Sequence, residues 1–543
     1  MERNLATLFE LVADTVPDRE AVVAGGRRLT FAELDERANR LAHHLAAAGI
    51  GPGHHVAAYL YNGTEFVETM LAAFKLRAAV VNVNYRYVAA ELRYLLDDSD
   101  ARAIVYDGRF AATLAEVAGD LPLLATRLAV GTGGSTGAAA LPGAAEYEAA
   151  LAAESPERPA VERTGDDLYL LYTGGTTGMP KGALWRHTDI LAAGLGNLGG
   201  ATTAEEVVER VRAGRDRHLP ACPLMHGAAQ WMTFATFYNG GTVLLSTDPH
   251  FDAGRIAELA AAERATIVAV VGDAVGRPFA DAITARPDLD LSAVRVVMNG
   301  AAALSPGVKD EILARLPDAF VYDTYGSSEA GTFAKSASGR GGTPAQGRFS
   351  PNDSTVAVLD DDLRPVEPGS GVVGRLARTG AVALGYYKDP EKTAATFPVI
   401  DGVRYLVTGD HATVEADGSV VLLGRGTACI NTGGEKVYPD EVEAALKSHA
   451  EVADAMVVGL PDERFGERVV ALVVSRTGDV PADLGDHVRR AVAGYKAPRQ
   501  LFAVPAVERF PSGKPDYAWA RERALALAGA ADSRSTTSSQ RRA

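Results

Sequence analysis

Only two cysteines, Cys222 and Cys429, occur in 543 residues, and they are far apart in the chain. No CxxC pair and no clustered histidine spacing offers a metal site. This fits a reducing compartment, and the expected location is cytoplasmic. Long apolar runs are also lacking. No uninterrupted stretch reaches the ~18 residues that a membrane span needs. The N-terminus carries Glu2, Arg3, Glu10 and Asp14 among its apolar residues, so it does not read as a signal peptide. Positive charge is in deficit, with 54 Lys and Arg against 69 Asp and Glu and a net charge of −15. That argues against a general nucleic-acid binder, which needs a basic face to release counterions.

What remains is an ordinary globular composition in a chain too long for one small core, so more than one domain is expected. Leu5, Leu8, Phe9 and Val12 recur at helical spacing, and Pro17 ends that helix. Thr30 is a candidate N-cap for a second amphipathic helix, and Gly49 a candidate stop. Strands at Val56 to Tyr61, Ala79 to Val83 and Ala103 to Tyr106 alternate with helices at Thr64 to Leu76 and Glu91 to Leu96. That rhythm predicts a mainly parallel α/β sheet. The pairs His43-His44 and His54-His55 have no carboxylate partner at ligand spacing. Gly131 to Gly143 reads as a low-complexity surface loop. Further strands are expected at Val243 to Leu245, Ile267 to Val271, Val294 to Met298 and Ala319 to Tyr322. From Thr355 to about Leu423, shorter strands and turns imply a β-rich subdomain, and beyond Gly424 a small α+β unit follows.

Five stretches carry chemistry. The apolar run Leu168 to Tyr172 leads into Thr173-Gly174-Gly175-Thr176-Thr177-Gly178-Met179-Pro180-Lys181-Gly182. A strand running into these glycines and threonines is expected to end its ladder there and turn amides and hydroxyls outward, which suits a polyphosphate. The stretch fails the G-x-x-x-x-G-K-[ST] pattern, and taken alone a Gly/Thr-rich segment is more often a plain loop. The second stretch is Tyr325-Gly326-Ser327-Ser328-Glu329, expected just after a strand, where ligands of open α/β sheets gather. The third is Thr408-Gly409-Asp410, a carboxylate expected at a strand end. The fourth is Gly424-Arg425 with Ile430 to Pro439, whose Gly433-Gly434 permits a tight turn. The fifth is Pro511-Ser512-Gly513-Lys514-Pro515, a lysine on a loop after the last strand.

In this order the five stretches resemble the acyl-adenylate-forming superfamily, over about residues 5 to 525. Met179 to Gly182 followed by Trp185-Arg186-His187, Cys429 to Val437, and Gly513 to Tyr517 are most similar to the actinobacterial fatty-acid and steroid-acid CoA ligases among its acyl-CoA synthetases. The fold this implies is α/β: a large N-terminal domain of parallel α/β sheets plus a β-rich subdomain (1–424), a hinge (425–428), a small mobile α+β C-terminal domain (429–525) and a disordered tail (526–543). The activity implied is ATP-dependent. A carboxylate attacks the α-phosphorus, giving acyl-AMP and pyrophosphate, and the thiol of coenzyme A then takes the acyl group.

The resemblance also assigns residues. Thr173 to Gly178 and Lys181 would cradle the β- and γ-phosphates. Tyr325 would stack on adenine, with Asp323 and Gly326 beside it. Ser328 would meet the α-phosphate, and Glu329, with Thr176, would hold Mg²⁺. Asp410 would bind ribose, and Arg425 would orient ribose and phosphate. Lys514 would reach the carboxylate and α-phosphate, and His226 would gate the acyl pocket. Gln230, Trp231, the run Val271 to Phe279 with Gly272, and Asn299, Gly300 and Ala301 would line that pocket. Gly433, Gly434 and Lys436 would line the coenzyme A tunnel. Small residues in the pocket segments point to a bulky or long acid, such as a fatty, steroid or terpenoid acid. At the pivot this chain has Thr427 and Ala428 where many relatives carry charged residues. Two alternatives stay open: an adenylating enzyme that loads a carrier-protein thiol, and a nucleotide-binding pseudoenzyme. Monomer and homodimer are both compatible with the sequence.

Overall fold

The computed structural model describes residues 1–131, 140–175, 178–339, 342, 347–425, 429–432, 435–462, 466–492, 494–510 and 513–540. The first helix, Leu5–Thr15, is capped by Asn4, whose side chain accepts from the Ala6 and Thr7 N–H groups. The second, Phe31–Ala47, starts on a capping box between Thr30 and Glu33. Both follow the apolar periodicity of the sequence.

Two large sheets organise the N-terminal region. One is all parallel, in the spatial order Ala79–Asn82, His55–Tyr59, Ala101–Asp107, Thr126–Val130, Ala145–Glu146. Its residues alternate between two cores. Val56, Ala58 and Val105 pack with Phe66 and Met70, while Ala57, Tyr59 and Ile104 pack with Leu92, Leu95 and Leu114. The other sheet has thirteen strands and changes character midway. Arg27–Thr30 edges a parallel run of Glu20–Ala24, Thr242–Leu245, Arg217–Pro220, Ile267–Val270, Val296–Asn299 and Phe320–Ser327. Antiparallel pairing continues it through Gly331–Ser338, Arg348–Pro351, Val420–Arg425, Leu406–Val414, Gly374–Arg378 and Val356–Leu359. The expected β-rich subdomain is thus grafted onto the edge of the parallel sheet.

Three local expectations are corrected. The ladder does not end at the Gly/Thr-rich stretch. Leu168–Gly175 and Gly178–Arg186 form an antiparallel hairpin whose register runs from Leu168↔Arg186 through Thr173↔Lys181 to Gly175↔Gly178. Gly385–Tyr386 adds a third strand to it. Glycine is needed inside this ladder for packing, because a Cβ at Gly182 would lie 2.8 Å from Leu170 Cδ1 and from Tyr172 Cε2. Tyr325, Gly326 and Ser327 lie within their strand, where a register shift marks Tyr325/Gly326. Asp410 sits mid-strand in Leu406–Val414, opposite Arg425.

The C-terminal unit has a five-stranded sheet of Glu435–Val437, Ile430–Thr432, Gly466–Ser475, Val452–Asp462 and Gln500–Ala503. Pro439–Lys447 and Leu484–Ala491 are its first helices. A last helix, Tyr517–Gln540, runs through 526–540, where the sequence is read as a disordered tail.

Candidate active site

Lys181, Trp185, Ser328, Glu329, Tyr386 and Asp389 meet around the hairpin. Lys181, paired in register with Thr173, forms an ion pair with Asp389. Asp389 also accepts from the Lys392 N–H at 2.9 Å, which caps the helix Pro390–Thr396. Lys181 and that backbone bond hold the Asp389 carboxyl below its ordinary range. The strand Gly385–Tyr386 brings the Tyr386 hydroxyl to donate to Glu329 Oε1 at 2.8 Å. Trp185 Nε1, from the hairpin, donates to the Ser328 carbonyl at 2.9 Å and fixes Ser328 beside Glu329. The Lys181 ammonium and the Glu329 carboxylate therefore share one scaffold.

Tyr325 stands beside this scaffold with its ring against Phe333 and Phe349, at centroid distances of 5.9 and 5.7 Å. Asp323 has a different setting. It is buried, ion-paired to Lys309 at 2.6 Å, and accepts from Asn299 Nδ2 at 2.9 Å. Asn299 Oδ1 in turn accepts from the Gly272 N–H at 2.8 Å. Asp323 and Asn299 thus lock the ends of neighbouring strands to the start of the helix Gly272–Ala285.

His226 is the N-cap residue of the helix Gly227–Tyr238. Burial, then the positive charges of Arg86 and Lys514, pull its pKa down to about 4, so its imidazole is neutral at physiological pH. The loop that carries Lys514 belongs to the C-terminal unit and reaches the N-terminal region at Val271. Lys514 arrives on a hairpin in which Phe510 N–H donates to the Lys514 carbonyl and Gly513 N–H to the Phe510 carbonyl, both at 2.8 Å. A Cβ at Gly513 would lie 3.2 Å from Val271 Cγ1, so glycine permits the close approach.

The pocket segments are more tightly filled than small residues alone suggest. A Cβ would meet Leu171 Cδ2 at 2.5 Å from Gly227, Ala302 Cβ at 2.6 Å from Gly272, Leu304 Cδ1 at 2.3 Å from Gly276 and Thr324 Oγ1 at 2.8 Å from Gly300. These glycines are small because neighbours occupy the space, so their size carries no argument about the acid. Gln230 is buried, accepts from the Tyr169 hydroxyl at 2.6 Å and donates to the Leu224 carbonyl at 2.8 Å, so its amide holds the fold together. Trp231 is half-buried on the same helix, and Ala301 has a positive φ of 65°.

Thr176, Thr177, Gly433, Gly434 and the pivot at 426–428 lie outside the described residues, and Gly174, Gly175, Gly178, Arg425 and Lys436 are described only as backbone. Asp410 is buried, and its N–H donates to Thr408 Oγ1 at 3.2 Å. Among the described residues no group of three or more His, Cys, Asp or Glu could hold a metal ion. A single carboxylate such as Glu329 still fits Mg²⁺, which commonly takes one or two carboxylates and completes its shell with substrate phosphates and water.

Sequence reasoning missed Asn82, Lys309, Tyr386 and Asp389. Asn82 is the most informative of them. Its Oδ1 accepts from the Tyr172 N–H at 2.9 Å, and its Nδ2 donates to the carbonyls of Tyr172 at 2.8 Å and Met225 at 2.7 Å. It ties the Lys181 hairpin to the His226 loop. The available signal was one asparagine closing the apolar strand Ala79–Asn82.

Comparison with known proteins gives the family. Residues 9–387 match the AMP-binding enzyme family, and residues 441–514 match the AMP-binding enzyme C-terminal domain. The chain is 44% identical over 537 residues to a 3-oxocholest-4-en-26-oate–CoA ligase of Rhodococcus rhodochrous, covering 96% of each chain. It is also 44% identical over 531 residues to a medium/long-chain-fatty-acid–CoA/3-oxocholest-4-en-26-oate–CoA ligase of Mycobacterium marinum, again covering 96% of each. ATP-bound MatB from Rhodopseudomonas palustris superposes with a TM-score of 0.80 at 26% identity, over 96% of this chain and 99% of that one. With both of its domains matched in order and near-full-length relatives at this identity, the chain belongs to the AMP-binding enzyme family.

Proposed function

We propose that the chain is an ATP-dependent acyl-CoA ligase that activates a bulky or long-chain carboxylic acid of the fatty or steroid type. The carboxylate oxygen attacks the α-phosphorus of ATP, and the bond to the β-phosphate oxygen breaks, giving acyl-AMP and pyrophosphate. The thiol of coenzyme A then attacks the acyl carbon, loses its proton, and expels AMP. The observation that carries this reading is Lys514. The Lys514 loop of the second domain packs on Val271, and the hairpin that presents Lys181 is joined to the His226 loop through Asn82. An anion attacking a polyanion needs such preorganised positive charge in a site that excludes water.

Lys181 and the hairpin amides hold the leaving pyrophosphate in this reading. Glu329 would hold Mg²⁺, which would neutralise phosphate charge when bound. Tyr325 supports the adenine, Ser328 meets the α-phosphate, and Asp410 with Arg425 holds the ribose. Neutral His226 gates the acyl entrance by position and hydrogen bonding, since it carries no charge at working pH. The class of acid is supported by the substrates named for the relatives, and the tight packing around the glycines removes the size argument.

The test is acid-dependent ATP–pyrophosphate exchange with a carboxylate panel, followed by thioester formation with free coenzyme A. Long-chain or steroid acids are expected to support exchange, and coenzyme A to give the thioester. Exchange with transfer only to a carrier protein would replace coenzyme A by that acceptor. ATP binding with no exchange for any acid would sink the enzymatic reading.

A further inference from the structure

Two contacts from the C-terminal unit land on the first turn of the helix Gly272–Ala285. One is the Lys514 hairpin, where Gly513 packs on Val271 and Ala274. The other is Lys447, the last residue of the helix Pro439–Lys447, whose Nζ lies 3.4 Å from Asp273 Oδ2. Both partners are deeply buried, with side-chain exposures of 7% and 6%. Asp273 is oriented by the Ser305 N–H, which donates to its Oδ1 at 2.7 Å. Two charges this far from water are stable only as a pair, so their separation is costly.

Lys447 is also joined to the Lys514 hairpin from within its own domain. Glu443, one helical turn away, accepts from the Val457 N–H at 2.9 Å. Arg509 donates to both carboxylate oxygens of Asp454 at 2.9 Å and pairs with Pro515 at the base of the hairpin. Burial opposes the charge on Lys447, but Asp273, Asp454 and Glu443 together hold its pKa above the ordinary lysine value. Asp273 faces Lys447 across the domain boundary and Arg509 holds Asp454 within the C-terminal unit; four positions after Arg509, Gly513 begins the approach to the N-terminal domain. At the other end of the helix a Cβ at Gly424 would lie 2.8 Å from Asp440 Oδ2, so the same helix also abuts the strand that leads into the hinge.

We propose that the Asp273–Lys447 pair docks the C-terminal domain for the adenylating half-reaction and that Asp273 and Lys447 are positioning residues acting through Lys514. This rests on the assignment of Lys514 to that half-reaction. Burying the pair excludes small tilts of the domain that would leave either charge unpaired, which fixes the reach of the hairpin. The contact belongs to the domain arrangement that seats Gly513 on Val271, because a rotation that lifts that loop off the first turn of the helix also draws Lys447 from Asp273.

The experiment measures both half-reactions on the full chain: ATP–pyrophosphate exchange with a working acid, and thioester formation from synthetic acyl-adenylate. Asp273→Asn keeps the acceptor for the Ser305 N–H and removes only the charge. It is expected to lower exchange about tenfold, equal to about 1.4 kcal/mol of lost docking, while thioester formation changes by less than about twofold. Lys447→Arg keeps the charge and is expected to retain most of the exchange activity. A mere packing role would lower both half-reactions together, and that outcome overturns the proposal. So does unchanged exchange in Asp273→Asn while Lys514→Ala abolishes it. If Lys514→Ala leaves exchange intact, the Lys514 assignment itself fails, and the docking proposal falls with it.

Discussion

At the scale of single residues, Lys181 has two claimants. Its partner Asp389 is a neighbouring carboxylate, and the pair is partly exposed, with side-chain exposures of 37% and 24%. Such an ion pair is worth only about 0–1 kcal/mol. In the proposed reading a polyphosphate takes Lys181 from Asp389 at small cost, and the carboxylate is a placeholder for it. Asp389→Asn keeps an acceptor for the Lys392 N–H and removes the competing charge. The expected result is a KM for ATP lower by up to about fivefold, the factor that ~1 kcal/mol represents, with kcat nearly unchanged. A raised KM would mean that Asp389 places Lys181 more than it competes for it.

At the scale of elements, Asn82 joins the hairpin to the His226 loop. Asn82→Ala leaves the Tyr172 N–H and the Tyr172 and Met225 carbonyls without this partner in a buried place. Each orphaned group costs about 1–3 kcal/mol. The variant is expected to lose several degrees of thermal stability and to show weakened ATP binding in the surviving folded protein. An unaltered melting curve would show that the surrounding structure closes over the site. What was legible in the sequence follows the same physics. The parallel strands were readable because Ile267 to Val270 and Val296 to Met298 are apolar on both faces, as buried parallel strands must be. The hairpin was misread because its second strand spells Gly-Met-Pro-Lys-Gly, which looks like a turn. The reason for glycine there is the pair Leu170 and Tyr172 on the facing strand, which only tertiary pairing reveals. The five chemical stretches were legible as motifs, whereas Asp389, Tyr386 and Lys309 were not. Each of these acts through a contact tens to hundreds of residues away and has no local pattern.

At the scale of the molecule, no helix among the described residues is long and apolar enough to cross a membrane. The N-terminal region is instead fastened by buried polar joints, several of them histidines kept neutral. His187 is fully buried. Its Nδ1 lies 3.1 Å from Asn4 Nδ2 and accepts from the Leu5 N–H at 3.3 Å, which ties the first helix to the strand pair that carries Lys181. Burial lowers its pKa to about 3, and burial likewise lowers His218 and His226 to about 4. In the unfolded chain these imidazoles take a proton near pH 6.5. Between that value and the folded pKa, the unfolded state binds more protons, so stability is undiminished above about pH 6.5 and falls as the pH drops toward 4. Glu443 acts in the opposite sense. Burial raises its pKa to about 7, so its share of stability is lost as the pH rises from the ordinary carboxylate range to about 7. The clean measurement is therefore the difference in unfolding free energy between the natural chain and His187→Gln, which cannot take up a proton there. That difference is expected to be constant above about pH 6.5. Below it, the difference should shift against the natural chain by roughly 1.4 kcal/mol per pH unit. A difference that stays flat down to pH 4 would show that His187 charges as readily in the folded chain as in the unfolded one.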